Sequence, residues 1–526
     1  MTHTPVPRRR AAWRRLVLGG AALAAATALV GCSLLPGAGS GGAGGGSDPQ
    51  LPDQPTGTVQ GFAEQTPEWQ PCANGMQCAD VHAPLDWAEP AGETITLRLV
   101  KSAATGSEKL GTLFVNPGGP GASGAEYVAN AVEHAVSADV RAAYDVIGWD
   151  PRGVGESAPV RCLDTAGMDE YLYGDDAETA DLERGSDEWI AVARAQARDF
   201  AEACAERSGD ILAHVATSDT VQDLDMLRGI VGDTKLNYLG FSYGTYIGAR
   251  YADAYPERVG RLVLDGAMDP AATMQDVVRE QTIGFENALR AYTSDCLQRR
   301  GCPLSGTVDA AMAQIGALLD RIDANSLTGA DGRTVTSGVA VTAIVFPLYS
   351  QDMWGYLDQL FESLAVDDPE MALILADAYN DRQDGEYQSN STEAFSAINC
   401  LDYPSDLDVA RMRDDAAELA KIAPTIGRFQ GFGDISCAEW PVAGVPERTP
   451  VRAAGADPIL VVGTTGDPAT PYRWAESLAS QLESGSLITY VGEGHTAYTT
   501  SSCVGEVVDA YFLDGTVPAA DPRCAA

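Results

Sequence analysis

Leu236-Asn237-Tyr238-Leu239-Gly240-Phe241-Ser242-Tyr243-Gly244 reads as a short apolar strand running straight into G-x-S-x-G, with a helix-compatible segment behind it. Strand, sharp turn and helix in that order hold a serine nucleophile at an elbow on the end of a sheet strand. The residue types follow from sterics. The turn is so tight that side chains two positions either side of the serine would collide, so glycine is needed at 240 and 244. With 55 glycines in 526 residues, one G-x-S-x-G is expected by chance in roughly one such chain in three. The pentapeptide therefore takes its weight from what surrounds it.

Continuous apolar runs at 95–100, 111–115, 144–149, 235–239, 261–264, 458–462 and 486–491 read as strands with little alternation, the pattern of a parallel sheet covered on both faces. Helical periodicity at 189–206 and 218–231 falls between them, so the chain alternates strand and helix as an α/β protein does. From about 267 to 455 the texture changes to successive amphipathic helices, among them 274–289, 308–322, 354–364 and 407–422. An insertion of that size between late strands predicts an α/β-hydrolase core, residues 61–266 and 456–526, with a large, mainly helical cap (267–455) over the strands' C-terminal edge, where open α/β sheets place ligands.

A serine hydroxyl is a poor nucleophile until a histidine takes its proton and a carboxylate holds that histidine in the right tautomer. Of five histidines, His3 lies in the leader, His82 near the start of the fold, and His134 and His214 in helical or connecting stretches. His495 follows the last predicted strand in a glycine-rich loop, Gly492-Glu493-Gly494-His495-Thr496, and is the candidate base. Two carboxylates at strand ends compete for the acid. Asp467 gives the chain order Ser, Asp, His and is preferred; Asp265, directly after the strand that follows the nucleophile helix, is the alternative. For the oxyanion, Tyr243 supplies one backbone donor and the loop Asn116-Pro117-Gly118-Gly119-Pro120-Gly121 the other. Proline has no N–H, which leaves Gly119 as the preferred donor.

The net charge of −39, with 74 acidic against 35 basic residues, makes nucleic acid an unsuitable partner and describes a solvated acidic surface. Arg8, Arg9, Arg10, Arg14 and Arg15 precede an apolar run at 16–30, the pattern of a signal peptide over residues 1–31. The run ends in Leu29-Val30-Gly31-Cys32, which resembles the lipobox of bacterial lipoproteins and marks Cys32 for lipidation. A Gly/Ala/Ser stretch at 37–46 and a proline-rich one at 48–55 then read as a tether, residues 32–60 in all. As a flexible coil of about 28 residues it would hold the body on the order of 30 Å from a membrane. The expectation is export and anchoring to the cell membrane through lipid. Eleven cysteines fit an oxidising compartment: with Cys32 lipidated, ten remain to pair, and sequence neighbours suggest 72–78, 162–204, 296–302, 400–437 and 503–524. No C-x-x-C zinc pattern is present, and no metal or organic cofactor is implied.

Gly118-Gly119-Pro120-Gly121, Asp150-Pro151-Arg152-Gly153-Val154-Gly155-Glu156-Ser157, Gly240 to Gly244 and Gly494-His495 together resemble the proline iminopeptidase branch of α/β-hydrolases. More closely, the chain resembles the exported actinobacterial tripeptidyl aminopeptidases and the related mycobacterial lipoprotein peptidase also called carboxylesterase A. The similarity runs from about Trp69 to the C-terminus and includes Asn399-Cys400-Leu401-Asp402 and Ser436-Cys437-Ala438-Glu439-Trp440-Pro441. It implies a serine peptidase using Ser242, Asp467 and His495, with esterase activity on activated esters. Asn116 stands where the iminopeptidases have a histidine-led glycine loop, which argues against strict preference for N-terminal proline. An enzyme cutting near a free N-terminus must bind its ammonium, and Asp402 and Glu439 in the cap are the candidate carboxylates. Arg152 and Glu156 read as a salt link within their own loop.

The leading expectation is an extracytoplasmic tripeptidyl-type aminopeptidase acting on peptides through an acyl-enzyme. The alternatives are a carboxylesterase or lipase-like hydrolase of envelope or xenobiotic esters and, in another class, a surface-anchored binding protein on an unused hydrolase fold. Amide and ester share the tetrahedral intermediate, so the deciding pocket belongs to the cap.

Overall fold

The computed structural model describes residues 50–174, 179, 182–445 and 447–525. The leader, Cys32 and the tether up to residue 49 lie outside the described residues. The chain is tied to the core already at Pro52, whose carbonyl lies 3.2 Å from His82 Nε2. Thr58 then caps a short helix, Val59–Ala63, that buries Phe62.

Eight strands make the body of one sheet: β1 (Gln77–Pro84), β2 (Thr94–Ser102), β3 (Gly111–Asn116), β4 (Tyr144–Trp149), β5 (Leu236–Phe241), β6 (Val259–Asp265), β7 (Ile459–Gly466) and β8 (Gly485–Glu493). Their spatial order is β1-β2-β4-β3-β5-β6-β7-β8, with short edge strands Gln70–Pro71 beside β1 and Arg523–Ala525 beside β8. β2 is antiparallel to β1 and β4; every pair from β4 to β8 is parallel. The strands from β3 to β7 are apolar on both faces because helices cover both: Leu236, Tyr238, Leu262 and Ile459 pack on one side, and Leu113, Leu239, Val263 and Leu460 on the other. Helix α1 (Gly124–Ala135) follows β3, α2 (Thr217–Ile230) precedes β5, α3 (Tyr243–Ala254) follows it, and α4 (Tyr472–Gln481) and α5 (Ser502–Asp514) follow β7 and β8.

β1 is absent from the strand reading because Asp80 and His82 interrupt its apolar run. Both are nevertheless buried, with Asp80 bonded to Arg98 of β2 at 2.5 Å. The arginine of the Asp150-to-Ser157 loop also differs from its expected role. Arg152 is fully buried and pairs not with Glu156 but with Asp223 of α2, two bonds of 2.7 Å, while further donors reach the carbonyls of Pro84, Leu85 and His214. Glu156 pairs instead with Arg98, at 2.6 Å. A guanidinium taken wholly out of water needs this saturation of its donors.

Between β6 and β7 the chain leaves the sheet for a helical body that begins at Met274–Cys296, which Thr273 and Asp276 start with a capping box. Val308–Ala324, Ser337–Val345, Trp354–Ala365, Glu370–Tyr379, Ser391–Asp402 and Val409–Ile422 follow. It has its own core, including Leu289, Ile315, Ile344, Leu360 and Leu373. A second excursion, between β4 and β5, joins it: helix Asp187–Ser208 packs on the short helix Asp434–Ala438, with Ile190 against Met412 and Ile435. All five neighbouring cysteine pairs suggested by the sequence are closed as disulfides.

Candidate active site

Ser242 joins β5 to α3 with φ 53° and ψ −125°, a conformation rare for a residue with a Cβ. Such strain persists only where the surroundings over-determine it. Here the Ser242 N–H donates to the carbonyl of Asp265 on β6 at 2.9 Å, and the Tyr238 hydroxyl donates to the carbonyl of Gly244 at 2.7 Å. A Cβ on Gly240 would sit 2.4 Å from the Gly244 carbonyl oxygen, and one on Gly244 would sit 2.7 Å from that of Asn116. Both glycines of the pentapeptide are therefore steric requirements.

The loop after β3 runs directly against this elbow: a Cβ on Gly118 would lie 2.8 Å from the Tyr243 nitrogen and 3.0 Å from Ser242 Cβ. The Gly118 amide is used within the turn, donating to Asn116 Oδ1 at 2.9 Å. The Gly119 amide has no acceptor among the described residues, and that of Tyr243 sits at the first position of α3, where the helix supplies none. These are the two N–H groups expected to receive an oxyanion. Gly119–Pro120 is a cis peptide bond.

His495 follows β8 and Asp467 follows β7. The imidazole Nδ1 lies 2.9 and 3.0 Å from the two oxygens of Asp467. Asp467 is itself fixed by the amides of Ala469 at 2.9 Å and Thr470 at 2.8 Å, and by the Thr470 hydroxyl at 2.9 Å. With Nδ1 donating to the carboxylate, Nε2 is the nitrogen left to accept a proton, and it has no partner among the described residues. Burial disfavours the charged imidazole, but the charge and hydrogen bond of Asp467, with Asp265 behind it, outweigh burial and lift its pKa above the usual 6.5. Asp265, the competing strand-end carboxylate, bonds loop amides instead. It accepts the amides of Ala497 at 3.0 Å and Tyr498 at 2.8 Å, and so anchors the loop just beyond His495. Burial pushes its carboxyl up to about 6 in spite of those bonds.

Two residues at the site escaped sequence reasoning. Gly266, at φ 67°, lets the imidazole lie over the end of β6, since a Cβ there would be 2.9 Å from His495 Cε1. Its only sequence signal is a glycine directly after a strand. Tyr349, in the cap's turn Phe346–Tyr349, accepts the His495 N–H at 2.8 Å on its carbonyl and sets its ring edge-on to the imidazole, centroids 5.5 Å apart. Nothing local marks it.

The two cap carboxylates expected to hold a substrate ammonium are engaged otherwise. Glu439 is bonded by Arg194 at 2.6 Å and Arg198 at 3.1 Å, both on helix Asp187–Ser208, and its carboxyl is held below the usual range by those guanidiniums. Asp402 is 2 % exposed, with Oδ1 accepting the Thr217 amide at 2.9 Å and Oδ2 the hydroxyls of Thr217 and Tyr243. Both oxygens of each carboxylate are thus bonded within the protein.

Residues 423–524, which carry β7, β8, Asp467 and His495, match the family model described as TAP-like protein. Over 482 residues the chain is 36% identical to serine protease Hip1 of Mycobacterium tuberculosis, covering 88% of this chain and 91% of that one. It is 35% identical to carboxylesterase B of the same organism over 517 residues, 97% of this chain and 96% of that one. To tripeptidyl aminopeptidase of Streptomyces lividans it is 31% identical over 476 residues, 87% and 86% of the two chains. An elbow serine, a histidine bonded to a strand-end aspartate and relatives matched over nearly their whole length agree: the chain belongs to the tripeptidyl aminopeptidase-like family of α/β-hydrolases and is a serine hydrolase.

Proposed function

We propose that the protein is an extracytoplasmic exopeptidase that releases short peptides from free N-termini, with Ser242 as nucleophile, His495 as general base and acid, and Asp467 orienting the imidazole. The observation that carries the exopeptidase reading is the cap's hold on both sides of the elbow. Tyr349 bonds the backbone of His495, and the loop of the oxyanion donors lies so close to helix Ser391–Asp402 that a Cβ on Gly121 would be 2.6 Å from the Ser391 carbonyl oxygen. An approach roofed this closely suits a chain end better than the middle of a folded polypeptide. The name of one relative, serine protease Hip1, favours a peptidase, and that of another, tripeptidyl aminopeptidase, favours cutting at an N-terminus.

Ser242 Oγ attacks the scissile carbonyl as its proton passes to His495 Nε2, and the carbonyl oxygen gains charge against the amides of Gly119 and Tyr243. Collapse breaks the C–N bond, and the amine leaves with the proton from His495. Water then gives its proton to the same nitrogen, attacks the acyl-enzyme and frees the carboxylate product with Ser242 reprotonated. The same steps serve an ester, and the likeness to carboxylesterase B favours that second reading. Chromogenic tripeptidyl-amides with free and N-acylated termini, set beside short-chain esters, separate the two. Free tripeptides are expected to give the highest kcat/KM for amide release; fast ester cleavage without tripeptide release would replace the peptidase reading with the esterase one.

The same proposal places the protein outside the cytoplasm, anchored through Cys32. Five disulfides closed within the fold support an oxidising compartment. Metabolic labelling with a fatty acid is expected to mark the wild type and not Cys32→Ala, and equal labelling of both would reject the anchor.

A further inference from the structure

Asp402 is an expensive group to bury: a carboxylate 2 % exposed at the last position of a cap helix, reaching across to the core. The structure shows what it holds. Its Oδ2 accepts the phenol of Tyr243, whose backbone N–H is one of the two oxyanion donors, and the Thr217 hydroxyl at 2.7 Å; its Oδ1 accepts the Thr217 amide at the start of α2. Tyr243 is 3 % exposed and packs on Tyr246, ring centroids 5.6 Å apart. The guanidinium of Arg448 lies between Tyr246 and Tyr403, 3.9 and 4.2 Å from their ring centroids, where its charge favours the ionised form of Asp402 against burial. Asp402 itself is one residue from Tyr403 and two from Cys400, which is tied by disulfide to Cys437.

We infer that Asp402 is a positioning residue of the hydrolase site: through the Tyr243 phenol, the cap carboxylate sets the oxyanion donor N–H and helps hold Ser242 at its strained elbow. The inference rests on the serine hydrolase reading of Ser242. A residue whose side chain is bonded at its tip and packed on its face has little freedom to tilt its peptide plane, and oxyanion donors act only when aimed at the place where charge develops. Displacements of about 1 Å can cost on the order of 100-fold in rate. The cap thereby acts in the chemical step as well as over the approach. The nucleophile helix is in turn tied to a cap element far away in sequence: 159 positions separate Tyr243 from Asp402.

Tyr243→Phe and Asp402→Asn test this on a short-chain p-nitrophenyl ester, with the affinity of an alkyl boronic acid as a second readout. A boronate adduct of the serine places an oxygen against the same donors. Each variant is expected to lose about 10- to 100-fold in kcat with KM within about twofold, to bind the boronate more weakly by a similar factor, and in the double variant to lose no more than the worse single one. Tyr243→Phe leaves Asp402 bonded to Thr217, so it keeps the test open should Asp402→Asn fail to fold. Wild-type kcat and boronate affinity in Tyr243→Phe, or additive losses in the double variant, would overturn the inference. Stoichiometric labelling of Ser242 by a fluorophosphonate in the wild type separates this failure from failure of the hydrolase reading, in which Ser242 would not label at all.

Discussion

Ser242→Ala is expected to lose roughly 10⁵- to 10⁶-fold in kcat on amides and esters alike, the scale on which loss of a triad nucleophile acts, because histidine, acid and oxyanion donors assist an attack that no longer occurs. Substrate affinity should survive, since the deleted atom contributes to bond-making and little to binding. Stability gives an independent check. Alanine keeps a Cβ at φ 53°, so it leaves the elbow strained; Ser242→Gly removes that Cβ at a cost in chain entropy. Relief of left-handed strain is worth on the order of 1 kcal/mol or more. Ser242→Gly is therefore expected to be as inactive as Ser242→Ala and to unfold at an equal or higher denaturant concentration. Retention of even about one hundredth of the wild-type rate in both variants would assign the chemistry to another residue. A glycine variant clearly less stable than the alanine one would mean that the elbow is not strained.

The parts of this site that were legible in the sequence share one property: they sit at the ends of strands. Ser242 and Asp467 follow β5 and β7 directly and His495 comes one residue after β8, and a parallel sheet brings the C-terminal ends of its strands to one edge, so position along the chain becomes position in space. The choice between Asp467 and Asp265 was not fixed by that rule, since both obey it. Loop geometry decides it, by turning Asp467 toward the imidazole and Asp265 toward the amides of Ala497 and Tyr498. The engagement of Asp402 and Glu439 was not legible because their partners are remote: Thr217 is 185 positions from Asp402, and Arg194 is 245 from Glu439. A carboxylate's availability depends on which cations and donors the fold brings to it, and no local pattern records that. Tyr349 and Gly266 matter through close approach alone. In the fold, β1 hid behind its buried Asp80 and His82, and the cap helix Ser337–Val345 forms although five of its nine residues are β-branched and so favour strand. It is helical because packing inside the cap overrides that preference.

The pairing of Asp467 with His495 predicts a second large effect with a pH signature. In Asp467→Asn the side-chain amide can donate to Nδ1, favouring the tautomer whose proton sits on Nε2, where it cannot accept from Ser242. A loss of roughly 10⁴-fold in kcat is expected with the fold retained. His495 must be neutral to act, and the two aspartates raise its pKa above 6.5, so in the wild type kcat/KM should rise with pH along an acid limb centred above that value. Removing the nearer charge leaves burial, which lowers the pKa, opposed by Asp265 alone, so the limb in Asp467→Asn should move to lower pH. Asp265→Asn separates the two acids. It keeps the Nδ1 bond to Asp467, so its loss in kcat should be far smaller, and its larger effect should be on stability. For Asp265 the sign is that of a raised acid. With a folded value of about 6 against the usual 3.8, the native state binds the proton more tightly than the unfolded chain, so the contribution is present below about pH 4 and fades as pH rises through about 6. Denaturation midpoints of Asp265→Asn should therefore lose the part of the wild-type decline that falls between those limits. An acid limb unmoved by Asp467→Asn, or one moved more by Asp265→Asn, would exchange the roles of the two carboxylates and leave the imidazole held by the loop of Ala497 and Tyr498 instead of by its own hydrogen bond.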